Sequence, residues 1–378
     1  MINTDYLHKN NKIKFQKYLS KNHFRKEQLN VKSYPNARVL PYKYEDGTFK
    51  GGVVDSSGCF VKESRFNCQH GASYRTSQKD MAFVHRPAVF IAGLVFPAWG
   101  HLLTDDLKHL WWFLSDDFKR IQKCKNTLFV VIKSMRIANI NNHRFIFSCL
   151  GIETDRICVL ETPTVFDEVL LPLPCIIPTD DGERIWTKEY KETIRTITHN
   201  IIANIKKTYP IYSKIYFSRT KIINHRDFGE KNVEQIFENA GFKVLYPEEL
   251  SIAEQVWYIY NCKIFASTEG SIAHNAVFLQ PGSCAYIVRK ANYINPYQIV
   301  IDEMNSIETV YIDAHLSFLN NKKVPMIGPF FIYVSEAMAR LLHTRKKFPI
   351  YEFLRYVRWS LFHRDFFQRI YSKGDYPF

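Results

Sequence analysis

The chain has 378 residues, of which 46% are hydrophobic and 23% charged, and it carries a formal net charge of +14. Such length and composition exclude a disordered or collagen-like chain and allow two domains, or one large one, with sizeable cores. No stretch of 18 consecutive apolar residues occurs, so no membrane-spanning helix is expected.

The opening residues, MINTDYLHKNNKIKF, lack the apolar centre of a secretory leader, and a cytoplasmic protein is expected. Residues 1 to about 40 are polar and basic and read as a helix or a loose arm. Short alternating runs and glycines over 41–80 predict a small β-hairpin element. A buried-strand pattern at 88–93 (AVFIAG) leads into an apolar helical pattern over 101–114 (HLLTDDLKHLWWFL). A strand at 127–132, a helix near 140–150 and strands near 157–160 and 168–172 follow. This order argues an α/β layer architecture.

The two prolines and charged turn of 173–186 read as a linker, followed by a long helix over 187–208. The second half alternates regularly: strand 214–218, helix 230–240, strand 242–246, helix 251–261, strand 263–267, helix 271–279, strand 283–288. Three successive βα units predict a doubly wound, Rossmann-like domain. Ligands of such sheets bind beyond the carboxyl ends of the strands, which selects the loops after 218, 246 and 267. Two α/β domains joined by a helix would also offer a cleft.

Each selected loop carries polar chemistry. In the first, Ser218 and Arg219 follow the strand, with Arg226 and Glu230 before the next helix. Arginine there presents a forked, permanent charge suited to phosphate, or pairs with a surface acid. In the second, Pro247 stops the strand, Glu248 and Glu249 are carboxylates able to accept from ribose hydroxyls, and Ser251 with Glu254 fits a capping box. In the third, Gly270 and Ser271 open a helical pattern whose backbone N–H groups could cradle a diphosphate. Glu269, His274 and Asn275 flank that turn, facing either a ligand or the neighbouring helix. No P-loop or G-x-G-x-x-G fingerprint is present. In the first half, His101 and Asp105 are four residues apart on the predicted helix, a spacing that lets a carboxylate orient an imidazole as a general base.

The eight cysteines, at 59, 68, 124, 149, 158, 175, 262 and 284, show no zinc spacing and read as reduced, packed thiols. No D-x-D, G-x-S-x-G or H-E-x-x-H motif occurs. The positive charge calls for an acidic partner, and from Ala339 to Phe378 nine Lys/Arg stand against three Asp/Glu. No nucleic-acid motif accompanies it, and a nucleic-acid partner is not expected. The aromatic, basic C-terminal run reads either as a helix packing back on the domains or as an element docking on the inner face of the cytoplasmic membrane.

Taken together, four segments resemble glycosyltransferase family 61 in its bacterial surface-polysaccharide branch. They are Gly100–Asp105, the strand end Ser218–Arg219 with downstream Arg226 and Glu230, the block Gly241–Gln255, and Glu269–Phe278. The resemblance covers roughly 85–290, with Gly229 and Glu269 departing from the family's usual residues. It implies a GT-B architecture of two Rossmann-like domains: an acceptor-side domain over 1–180, a nucleotide-sugar domain over 181–325 and a C-terminal segment over 326–378. It implies an inverting transfer from a nucleotide-sugar, UDP-linked in the first instance, to a glycan hydroxyl, without metal or other cofactor. His101 or Asp105 would then be the base. Ser218, Arg219, Arg226, Gly270, Ser271, His274 and Asn275 would hold the diphosphate, and Pro247, Glu248, Glu249 and Glu269 the nucleoside.

Overall fold

A computed structural model describes residues 1–122, 126–180, 182–222, 227–316, 319 and 328–362. The chain is a mixed α/β protein that forms two compact units, one of residues 23–200 and one that joins residues 1–22 to the chain from Ile201 on.

The first unit is built on a seven-stranded sheet. Its order is Thr48–Val54, Arg38–Glu45, Thr164–Pro172, Ala82–Leu94, Leu128–Lys133 and Ile157–Leu160, with Val31–Pro35 also pairing on Thr164–Pro172. The four strands from Thr164–Pro172 to Ile157–Leu160 are parallel, whereas the hairpin and Val31–Pro35 are antiparallel. The parallel centre follows from unbroken apolar runs: Val89, Phe90 and Ile91, and Phe129 to Ile132, are fully buried. The expected hairpin turns at Asp46–Gly47, both at positive φ, as a two-residue hairpin turn demands.

Three expectations change here. The described residues of 173–186 include two strands rather than only a linker: Ile176–Pro178 pairs with Arg184–Thr187, which pairs with Phe24–Arg25. The helix expected over 187–208 runs only over Lys188–Ala203. The helix expected over 101–114 is broken into Trp99–Leu103 and two 3-10 turns, Asp105–Leu107 and Leu110–Leu114. Thr104 leaves the helical region and bonds back to the Gly100 carbonyl at 2.8 Å. The break lets two adjacent carboxylates, Asp105 and Asp106, both turn inward to histidine partners. A regular helix would set them about 100° apart.

In the second unit six strands form a wholly parallel sheet. Its order is Ile2–Asn3, Glu308–Asp313, Cys284–Arg289, Ile264–Thr268, Lys214–Phe217 and Lys243–Leu245. Counted from Lys214–Phe217, the last five run 2-1-3-4-5, so the winding reverses between Lys214–Phe217 and Ile264–Thr268. Helices Glu230–Asn239, Ile252–Asn261 and Pro296–Asn305 make crossovers, and the Ser251–Glu254 capping box forms as its spacing predicts. The helix expected over 271–279 is instead a short 3-10 turn, Ala273–Phe278.

Residues 1–22 are not a loose arm. Ile2–Asn3 extends the parallel sheet, and the helix Lys9–Leu19 buries Phe15, over whose ring the Arg289 guanidinium lies at 4.9 Å. Asp313, fully buried, ties the pieces together. Its carboxylate takes Arg289 Nη1 at 2.5 Å, the His8 N–H at 2.8 Å and Asn11 Nδ2 at 2.8 Å. Gly229, where the resembled family has another residue, adopts φ +88°, and a Cβ there would fall 2.1 Å from the Ile332 carbonyl oxygen. Only glycine fits so close a backbone approach. The seven described cysteines are free, but Cys59 and Cys68 are exposed rather than packed, because they sit on turns outside the core; Cys124 lies outside the described residues.

Candidate functional site

In the first unit the chemistry gathers around His101. Its Nδ1 lies 2.7 Å from Asp105 Oδ2, although the helix that was to align the pair stops between them. The ring packs beside Phe66 and Phe96, centroids 5.3 and 5.2 Å away, and the side chain keeps 28% of its surface exposed. Asp105 is almost wholly enclosed. Burial pushes its pKa up, but the His101 hydrogen bond and charge, with Arg184 and Lys108, outweigh burial and hold it below the usual carboxylate value. An ionised Asp105 accepts the Nδ1 proton, which sets the tautomer and leaves the basic lone pair on Nε2.

Asp106 has the opposite balance. Burial raises its pKa despite the His143 Nε2 contact at 2.9 Å, so this second pair is a core feature. Lys108, also buried, donates to the Arg65 and Phe66 carbonyls at 2.5 and 2.7 Å, and burial brings its pKa down to about 8.

In the second unit the winding reversal brings the loop after Phe217 beside the loop after Thr268. Arg219 Nη1 stands 3.8 Å from Asp227 Oδ2, and Lys290 Nζ donates to both Asp227 oxygens at 3.2 and 3.0 Å. Two cations thus share one carboxylate at the strand ends. A Cβ on Gly270 would meet Lys290 Nζ at 3.9 Å, so that ammonium lies beside the glycine turn, where φ is +117°. Glu269 is buried there. Its Oε2 accepts the Lys290 N–H at 3.3 Å, while Oε1 has no hydrogen-bond partner among the described residues. Burial raises its pKa, with Arg289 and Lys290 pulling the other way. A buried polar atom left without a partner at the strand ends is the kind of exception that calls for an explanation.

The other residues expected in the site divide differently. Ser218 is buried and spends its hydroxyl on Glu234 Oε2 at 2.7 Å, and Glu230 Oε1 accepts the Arg219 N–H at 3.1 Å, so both shape the loop. His274 and Asn275 are buried against the helix Pro296–Asn305 and the local backbone. His274 Nδ1 meets Gln298 Oε1 at 3.0 Å, and Asn275 donates to the Ile272 carbonyl at 3.0 Å. Ser271 stays partly exposed beside Gly270. The six-residue 3-10 turn that follows carries little of a helix dipole. Pro247, Glu248 and Glu249 form a turn on the outer strand's loop, where exposed Glu249 pairs with Lys221 at 2.7 Å. Arg226 lies outside the described residues.

Asp227 and Lys290 were missed by sequence reasoning. The strand-end rule that selected three loops also applies after the strand Cys284–Arg289, and it would have found Lys290. Among the described residues no group of three His, Cys, Asp or Glu side chains is placed to hold a metal ion.

Behind His274 runs a buried chain: Gln298 Nε2 donates to Asp302 Oδ1 at 2.9 Å, and the Tyr311 hydroxyl donates to Asp302 Oδ2 at 2.6 Å. Burial pushes the Asp302 pKa up to about 7 against those hydrogen bonds. A carboxyl whose folded pKa exceeds its unfolded one stabilises the fold at low pH and loses that contribution as pH rises through about 7. His315, lowered to about 4 chiefly by burial, acts in the opposite sense as pH falls below its unfolded value. Comparison with Asp302→Asn separates the two. The variant's melting temperature should gain on wild type between pH 5 and 8; a constant difference would remove Asp302 as the titrating group.

Residues 99–286 match the family model described as Glycosyltransferase 61, a span that takes in His101, Asp105, Arg219, Glu269 and Gly270. No curated protein matches the chain. The family match supports a glycosyltransferase.

Proposed function

Starting from a chain whose residues 99–286 support a place in glycosyltransferase family 61, we propose an inverting, metal-independent transfer of a sugar from a nucleotide-sugar, UDP-linked in the first instance, to a hydroxyl of a growing surface glycan. The proposal includes the GT-B fold and a bacterial, cytoplasmic setting, with no nucleic-acid partner. The observation that carries it is the His101–Asp105 pair, a partly exposed imidazole held by an enclosed, ionised carboxylate. His101 Nε2 takes the acceptor hydroxyl proton as the oxygen bonds to the anomeric carbon. The bond from that carbon to the diphosphate oxygen breaks, and its electron pair leaves with the nucleoside diphosphate.

Arg219 and Lys290 supply positive charge for the leaving group, and Gly270 allows the backbone to approach it. Glu269 Oε1 offers an acceptor to a ribose hydroxyl or a base N–H. Arg219→Ala should weaken nucleoside-diphosphate binding about 10- to 100-fold, the worth of a charge-assisted hydrogen bond.

A thermal-shift series with UDP-, GDP- and CMP-sugars tests the reading. A rise with one nucleotide class, reduced in Arg219→Ala, is expected, since a ligand of the folded state stabilises it. No shift with any of them would overturn it, and a salt-sensitive RNA or DNA mobility shift at sub-micromolar protein would then mark a nucleic-acid binder instead.

A further inference from the structure

The last described helix, Ile350–Phe362, has a face that stays exposed among the described residues. Its inner side is anchored. Tyr356 is fully buried and packs on Phe331 and Phe228, with ring centroids 5.7 and 6.0 Å away, and Phe353 lies 5.3 Å from Phe331. The outer side carries Ile350, Tyr351, Leu354, Leu361 and Phe362, each between 58% and 75% exposed. At about 100° per residue these five fall within an arc of roughly 120°. Phe348, 43% exposed, stands just before the helix. Single exposed apolar residues are ordinary, but a contiguous stripe of this kind marks an interaction surface.

The charges around the stripe are of one sign. Over residues 340–362 the basic residues are Arg340, Arg345, Lys346, Lys347, Arg355 and Arg358, and the only acid is Glu352. Glu352 is already paired with Arg355 at 2.9 Å. The Arg358 guanidinium lies 5.8 Å from the Phe362 ring and that of Arg355 5.9 Å from the Tyr351 ring, so both charges ride on the exposed aromatic face. Apolar side chains on one face with arginines along it suit the boundary between lipid headgroups and acyl chains. A second copy of the chain would bring like charges together at the same place. Among the described residues no helix is long and apolar enough to cross a membrane, so the contact would be peripheral.

We propose that the helix Ile350–Phe362 docks the protein on an anionic bilayer surface, with Ile350, Leu354, Leu361 and Phe362 entering the interface and Arg355, Arg358 and the Arg345–Lys347 run facing the headgroups. This gives the transferase reading a place of action, at a surface that presents a lipid-linked acceptor, and it rests on that reading only for its purpose.

The test is co-sedimentation of the full chain with vesicles of phosphatidylcholine alone and of phosphatidylcholine with phosphatidylglycerol at three to one. Binding to the anionic vesicles, weakened by 0.5 M salt, is expected. Leu354→Glu with Leu361→Glu should reduce it by about a hundredfold or more, since each lost buried leucine is worth about a factor of ten or more. Both sites are exposed, so the double variant should melt as wild type does. Equal binding by the double variant, or none to anionic vesicles, overturns the proposal. So does a wild-type dimer in analytical ultracentrifugation that the double variant loses, since the face would then be an interface between copies. The double variant should keep the nucleotide thermal shift of the wild type. Vesicle binding without any nucleotide shift would fail the transferase reading and leave the docking surface standing.

Discussion

His101→Ala should lower sugar transfer about 10²- to 10⁴-fold, the usual worth of a positioned general base, while leaving nucleotide-sugar affinity near the wild-type value. The separation is expected because the imidazole stands in the first unit and the proposed nucleotide contacts in the second. Asp105→Asn sharpens the test. It keeps the side-chain volume, but it can turn an N–H toward His101 Nδ1, which places the imidazole proton on Nε2 and removes the lone pair the acceptor needs. Its turnover should fall by a large part of the same factor. Initial rates with saturating nucleotide-sugar, beside a thermal melt to confirm folding, decide the matter. Wild-type turnover in His101→Ala would remove it as the base.

The largest effect on stability is expected from Asp313→Ala, at about 3–5 kcal/mol, because removing one partner of a buried pair strands the other charge. Arg289 is 1% exposed and would lose the carboxylate at 2.5 Å. The His8 N–H and Asn11 Nδ2, each 2.8 Å from the other oxygen, would lose their acceptor too. The urea midpoint should drop, and residues 1–22 should become open to protease in the native state. A midpoint within error of wild type would show that the N-terminal segment is held by Phe15 packing rather than by this carboxylate.

Much of the second unit was legible because its signals are local. A buried strand in a parallel sheet centres on a short apolar run, as in Ile215, Tyr216 and Phe217 or Ile264, Phe265 and Ala266, and a capping box is complete within four residues, as at Ser251–Glu254. The spacing of His101 and Asp105 predicted their contact, which forms at 2.7 Å. Less legible was anything decided by partners distant in the chain. The helical pattern over 101–114 could not show that the helix would stop at Thr104, nor that Asp106 would turn to His143, a residue 37 positions on. The turn Ala273–Phe278 looked like a helix from its mostly apolar pattern, yet it is a short 3-10 turn whose six residues, His274 and Asn275 included, are all buried.

By itself, then, the sequence determined the alternation of strands and helices, the loops in which chemistry could lie, and a resemblance carried by four short segments. Those are properties of neighbours along the chain, set by side-chain period, turn residues and caps. Tertiary structure alone decided which of the polar residues remain open to a ligand. Ser218, His274 and Asn275 were taken up by Glu234, Gln298 and the Ile272 carbonyl, whereas Lys290 and Asp227, 63 positions apart, came together beside Gly270. A buried polar group must find a partner, and only the folded chain determines which partner lies within about 3 Å.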